Sequence, residues 1–258
     1  MDKRIYSNKS ALTEAFAHYL AQLITEKLST PLGYKEGFHW SLSGGSTPVG
    51  LFDFLVERYR TQIDWSSVYF YWGDERCVAP NDSQSNYGMT CKHLLNHIDH
   101  QTDRVFRIKG EDDPEVEADR YHQLLKAHPI MDLVMLGLGE DGHTASIFPH
   151  EIDLYRADAF AVAASHPSGQ RRISMNGKTI DAATQTVFLV SGASKATVVE
   201  EIANNKPPAV IYPATLVKNA IWFLTKDLTW PWMSTMPLWR GTGVRGRVRA
   251  EAQLQRKR

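Results

Sequence analysis

DLVMLGLGEDGHTASIFP, Asp132 to Pro149, passes from an apolar run, Leu133 to Leu136, straight into a segment with three glycines, two carboxylates and a histidine. Four apolar residues bounded by glycine fit a short buried strand. The glycines that follow give the chain an open, shaped backbone at the strand's carboxyl end. A polar loop in that position suits a ligand better than a plain connection, so His143 is the residue to explain.

The same alternation extends in both directions. Upstream, Ser10 can cap a helix whose apolar positions Leu12, Phe16, Leu20, Leu23 and Ile24 recur at helical spacing. Phe38–Leu42 reads as a strand, Pro48 opens a helix through Phe52 and Leu55, and Val68–Trp72 is a second strand. Further helices are predicted over Ser85–Leu95, Pro114–Ala127 and Ser194–Ala203, and further strands over Phe160–Ala163, Val187–Val190 and Ile221–Leu224. This order predicts an α/β fold, a mainly parallel open sheet with helices on both faces. In such sheets ligands gather beyond the carboxyl ends of the strands, so the loops after Leu42, Trp72, Leu136 and Val190 are expected to face one crevice.

Composition limits what that crevice binds. The 258 residues are 43% hydrophobic and 22% charged, and 29 basic side chains balance 29 acidic ones, so no overall field draws in nucleic acid or an anionic membrane. An anion site has to be local. Glu14, His18 and Gln22 interrupt the first apolar pattern, so it does not read as a signal peptide, and the expected location is the cytoplasm. Cys77 and Cys91 form no metal-binding spacing and are expected to be free thiols. No repeat or long linker divides residues 1–228, which are expected to form a single domain. Residues 229–258 form an atypical segment in which seven Arg and Lys from Arg240 onward face one Glu251; no function is assigned to it.

Four other segments carry candidate chemistry. SGGSTP, Ser43 to Pro48, precedes a helix: Gly44 and Gly45 let a ligand approach the backbone, and the hydroxyls of Ser46 and Thr47 with the first helical amides suit a phosphate. It matches neither the Walker loop nor the dinucleotide pattern, and it is not a nucleophile elbow. A tight turn capped by Thr47 explains it equally well. Asp74, Glu75 and Arg76 stand at the next strand end, and Arg172 in RRIS and Lys195 in SGASK lie near other element ends, where a phosphate would find countercharge.

SGGSTP, DERCVAPNDSQSNYGM, GLGEDGHTASIFP, RRIS and SGASK stand in the order and approximate spacing of the 6-phosphogluconolactonase family, which the chain resembles from about Lys9 to Leu228. The resemblance implies the sugar-phosphate isomerase/deaminase-like fold and hydrolysis of 6-phosphoglucono-δ-lactone to 6-phosphogluconate in the oxidative pentose phosphate route. It implies no metal or organic cofactor. A histidine titrates near neutral pH and can activate water, which makes His143 the general base. By resemblance Asp141 belongs to the same site, touching either the imidazole or the substrate. Arg76 is similar to the family's mobile active-site arginine, suited to an oxyanion or to substrate oxygens. Ser43, Gly44, Gly45, Ser46 and Thr47, with Arg172 rather than its neighbour Arg171 and with Lys195, would hold the 6-phosphate.

Two other functions compete. A sugar-phosphate isomerase or deaminase would need a carboxylate base for the C2 proton, for which Asp74 is the candidate. A sugar-phosphate sensor would carry a DNA-binding segment, for which the roughly forty residues before SGGSTP are short. His18, His93, His97 and His100 suggest only exposure or capping, and His150 belongs to no recognised ligand cluster. No nucleic-acid or membrane partner is expected.

Overall fold

The computed structural model describes residues 1–128 and 130–228. Its elements are β1 (Asp2–Tyr6), α1 (Lys9–Leu28), α2 (Pro31–Glu36), β2 (Phe38–Leu42), α3 (Ser46–Tyr59), β3 (Val68–Trp72), β4 (Asp74–Arg76), α4 (Asn86–His93), β5 (Val105–Phe106), α5 (Pro114–Ala127), β6 (Leu133–Leu136), β7 (Ala161–Ser165), β8 (Arg171–Met175), α6 (Gly177–Ile180), β9 (Gln185–Val190), α7 (Ala196–Ala203) and β10 (Ile221–Thr225). Seven strands form one parallel sheet in the order β1-β10-β9-β6-β2-β3-β5, and β4-β8-β7 form a second, antiparallel sheet. Every residue of β2, β6 and β10 is buried, which requires cover on both faces of the main sheet. Large side chains supply that cover: Trp40, Phe70 and Phe52 pack together, and Phe188 stacks on Trp222 with ring centroids 3.9 Å apart. Each such buried ring contributes about 1.5–3 kcal/mol relative to leaving it in water.

The chain leaves β2 for β3 and β5 on one side, then returns to add β6, β9 and β10 on the other. The topological switch therefore lies between β2 and β6, and the loops after β9, β6, β2 and β3 stand side by side at the carboxyl edge. Among the described residues no helix is long and apolar enough to cross a membrane. The basic segment from Thr229 lies outside the described residues.

Several local expectations change. Asn8, not Ser10, caps α1, its side chain accepting from Ala11 N at 2.9 Å. α3 starts at Ser46, two residues before Pro48, because proline is tolerated anywhere in a first turn whose amides have no intrahelical acceptor. The strand expected at Phe160–Ala163 spans Ala161–Ser165 and belongs to the second sheet. It is half of a hairpin with β8, closed by His166 N donating to Gln170 O and by Gly169 at φ +86°. Alternation of helix and strand carries no sign of a hairpin whose second strand begins with two arginines. α7 begins at Ala196, after a 3-10 turn over Ala193–Lys195.

Candidate active site

Each loop at the carboxyl edge places its own chemistry. The loop after β6 folds back on itself: Gly139 N donates to His143 O, Gly142 N donates to Gly139 O, and Thr144 Oγ1 donates to Gly137 O at 2.9 Å. Ala145 adopts φ 49°, a left-handed conformation uncommon outside glycine, and it lines the crevice. Within this fold Asp141 Oδ1 meets His143 Nδ1 at 2.6 Å and also accepts the His143 backbone N–H at 3.1 Å. Burial pushes the Asp141 carboxyl up, but the hydrogen bonds and charge of His143 outweigh it and hold the group below the usual aspartate range. An ionised carboxylate only accepts, so the proton between them sits on Nδ1, and the lone pair of neutral His143 is on Nε2. The His143 side chain is 30% exposed, enough for water to reach it. A Cβ at Gly139 would stand 2.0 Å from His143 Nδ1 and 2.6 Å from Asp141 Oδ1, so the pair closes over a residue that has to be glycine.

The cationic side of the crevice comes from the second sheet. β4 follows β3 after Gly73 alone and pairs with β8 so that Arg76 lies directly opposite Arg172. Like charges in that arrangement repel. The Nε atoms of both are buried without a hydrogen-bond partner, although Arg76 Nη1 donates to Gln84 O at 2.5 Å. Burial lowers the Arg172 pKa, and the charge of Asp74 opposes that. Burial likewise lowers Lys195, opposed by Glu140, and among the described residues its ammonium makes no hydrogen bond or salt bridge. Three converging cations, each underpaired, make a site for an anion. Arg171 is bonded to Glu115 instead and does not line the cavity that Arg172 lines.

Ser43, Gly44, Gly45, Arg76, His143, Arg172 and Lys195 all line one cavity of about 200 Å³, together with Asp74 and Asn86. Ser46 and Thr47 do not line it. Thr47 Oγ1 is engaged by Ser191 Oγ at 2.9 Å, and Gly45, with no side-chain cap, precedes the helix. What this loop offers an anion is therefore backbone, the unpaired first-turn amides of α3, rather than hydroxyls.

Asp74 and Glu75 separate in role. Glu75 Oε1 accepts from the amides of Arg76 and Asn86, and Oε2 from Tyr87 N and Ser85 Oγ, so Glu75 ties the start of α4 to β4. Asp74 faces the cavity with Oδ2 accepting from Ser146 Oγ at 2.6 Å. Sequence reading gave Asn86 no role. Its side-chain amide donates to Asp74 O, and its Oδ1 would lie 1.9 Å from a Cβ at position 44, so it sets how closely the glycine loop approaches. Its place directly after the helix-capping Ser85 was the one available signal. Cys77 and Cys91 are free thiols, and burial pushes Cys77 up to about 11. Among the described residues no cluster of three His, Cys, Asp or Glu could hold a metal ion.

Residues 8–230 match the family described as Glucosamine-6-phosphate isomerases/6-phosphogluconolactonase. The chain is 43% identical over 197 residues to the 6-phosphogluconolactonase of Haemophilus influenzae, covering 73% of this chain and 84% of that one. It is 37% identical to the 6-phosphogluconolactonase of Treponema pallidum, over 85% of this chain and 92% of the relative. A crystal structure of devB protein superposes with a TM-score of 0.79 at 37% identity, covering 88% of this chain and 97% of that chain.

Proposed function

The chain belongs to the glucosamine-6-phosphate isomerase/6-phosphogluconolactonase family, and on that premise we propose that it hydrolyses 6-phospho-D-glucono-1,5-lactone to 6-phospho-D-gluconate. The observation that carries this reading is the Asp141–His143 pair, with no hydrogen-bond partner for Nε2 among the described residues, and with His143 lining the same cavity as three underpaired cations. Nε2 accepts a proton from water as the water oxygen bonds to the lactone C1. The carbonyl oxygen becomes an oxyanion, which the Arg76 guanidinium faces. The intermediate collapses by breaking the bond from C1 to the ring oxygen, and the imidazolium returns its proton to that oxygen as it leaves. Asp141 holds the ring in the Nδ1–H tautomer and stabilises the transient imidazolium, as the third member of a catalytic triad does. The amides of the Ser43–Thr47 loop, Arg172 and Lys195 grip the 6-phosphate and position C1. This reaction places the enzyme in the oxidative pentose phosphate route in the cytoplasm.

Gly139→Ala is expected to force Asp141 and His143 apart, because its Cβ would overlap both side chains. Turnover should fall on the order of a hundredfold, the scale for displacing a reacting group by about an ångström. Steady-state kinetics with a thermal melt checks this: a variant with normal kcat would mean the pair is not required in its observed geometry.

Asp74, buried at the cavity wall, favours one other reading, removal of the C2 proton by an isomerase or deaminase. Its carboxylate is already engaged, with Oδ2 accepting from Ser146 Oγ at 2.6 Å, and it is held at the cavity wall by that bond. Freshly generated lactone is expected to be hydrolysed faster than in a protein-free control, because δ-lactones also open unaided. No enzyme-dependent deuterium is expected at C2 of glucose 6-phosphate or glucosamine 6-phosphate in D₂O. Exchange at C2 with no excess lactone hydrolysis would reverse the assignment.

A further inference from the structure

Tyr212 lies in no motif, yet its ring sits on the turn between the two members of the Asp141–His143 pair. Gly142, at φ +80°, separates them, and a Cβ there would stand 2.3 Å from Tyr212 Cγ. The contact is closed by a hydrogen bond from Ala214 N to Gly142 O at 3.1 Å. The phenol in turn donates to Glu201 Oε2 at 2.6 Å. That bond, burial and the charges of Glu201 and Asp141 raise the phenol to about 12, so it stays a donor at any working pH. Glu201 belongs to α7, whose first turn follows Lys195 at the cavity.

We propose that Tyr212, anchored by Glu201, is a positioning residue that clamps the Gly142 turn and so holds Asp141 against His143. Backbone bonds from Gly139 N to His143 O and from Gly142 N to Gly139 O close the turn from within, but its glycines contribute no side-chain packing against the rest of the protein. A flat ring on one side and an amide donor to the Gly142 carbonyl restrict it where Asp141 and His143 diverge. The helix that directly follows Lys195 thus braces the base, and the two halves of the cavity meet at one element. This inference rests on the lactonase reading for its kinetic consequence, but its structural consequence can be read without turnover.

Tyr212→Ala, which removes both ring and anchor, and Tyr212→Phe, which keeps the ring and loses the bond to Glu201, separate the two contributions. Imidazole ¹⁵N spectra of the free enzyme are expected to show the Nδ1–H tautomer of His143 in the parent. The Nε2–H tautomer should enter partly in Tyr212→Phe and more in Tyr212→Ala. The Asp141 carboxyl, followed by ¹³C titration, should move back up toward the ordinary aspartate range in the same order. On the lactone, kcat should fall on the order of ten- to a hundredfold for Tyr212→Ala, and less for Tyr212→Phe, with KM little changed. Glu201→Ala should match Tyr212→Phe, and the double variant should add nothing further. An inactive parent would remove the functional reading while leaving the tautomer test intact. Folded Tyr212→Ala with the parental tautomer, or a loss confined to KM, would overturn the positioning role.

Discussion

Replacing His143 with alanine is expected to lower the enzyme-dependent rate of lactone hydrolysis by about 10²- to 10⁴-fold, the range a positioned acid–base group contributes. The fold should survive, because the side chain is 30% exposed on a loop at the sheet edge, where the ring meets the Asp141 carboxylate and Phe148, with ring centroids 4.7 Å apart. Asp141→Asn should act in the same direction. Its amide can donate to Nδ1, which would move the imidazole proton to Nε2 and remove the lone pair from the water. The measurement is the excess over the uncatalysed rate, with circular dichroism as the control for folding. Near-normal turnover by folded His143→Ala would remove the residue from the mechanism.

Arg172→Ala and Lys195→Ala should each weaken use of the phosphorylated lactone by roughly 1.5–3 kcal/mol in kcat/KM, the loss of one charge-assisted hydrogen bond to the phosphate. Neither should cost much stability. Arg172 faces another arginine across the strand pair, and Lys195 makes no ion pair among the described residues, so the unliganded protein gains little from either charge. The comparison that decides is unphosphorylated gluconolactone, which should be nearly indifferent to both changes. Equal losses on the two substrates would assign these cations to the frame instead of the phosphate.

How far the sequence led depended on whether a signal was local. Hydrophobic runs such as Leu133–Leu136 and Val68–Trp72 are strands because nothing else buries short apolar stretches between turns, and they appear where the pattern placed them. The convergence of four strand-end loops followed from parallel topology. β8 stayed hidden because RRIS looks like a charged turn until β4 is known to pair with it, and β4 is three residues long with no apolar face. The contact of Asp141 with His143 could not be read from a spacing of two, since only the folded glycine loop brings the side chains together. The engagement of Thr47 Oγ1 by Ser191 could not be read either, since the two lie 144 positions apart. Asn86 and Tyr212 act through contacts with Gly44 and Gly142, in segments well separated from them along the chain, which no periodicity records.

The switch point between β2 and β6 gives the protein a history as well as a shape. The parts that would grip the phosphate come from the segments after β2 and β9 and from β8 itself, whereas Asp141 and His143 sit together in one short loop after β6. A lineage can therefore rewrite the reactive loop while inheriting the anchor unchanged, and the buried strands beneath are indifferent to the edit. Descendants of such an ancestor would share an appetite for sugar phosphates and differ in the reaction they carry out, and the family's description does join isomerases to a lactonase.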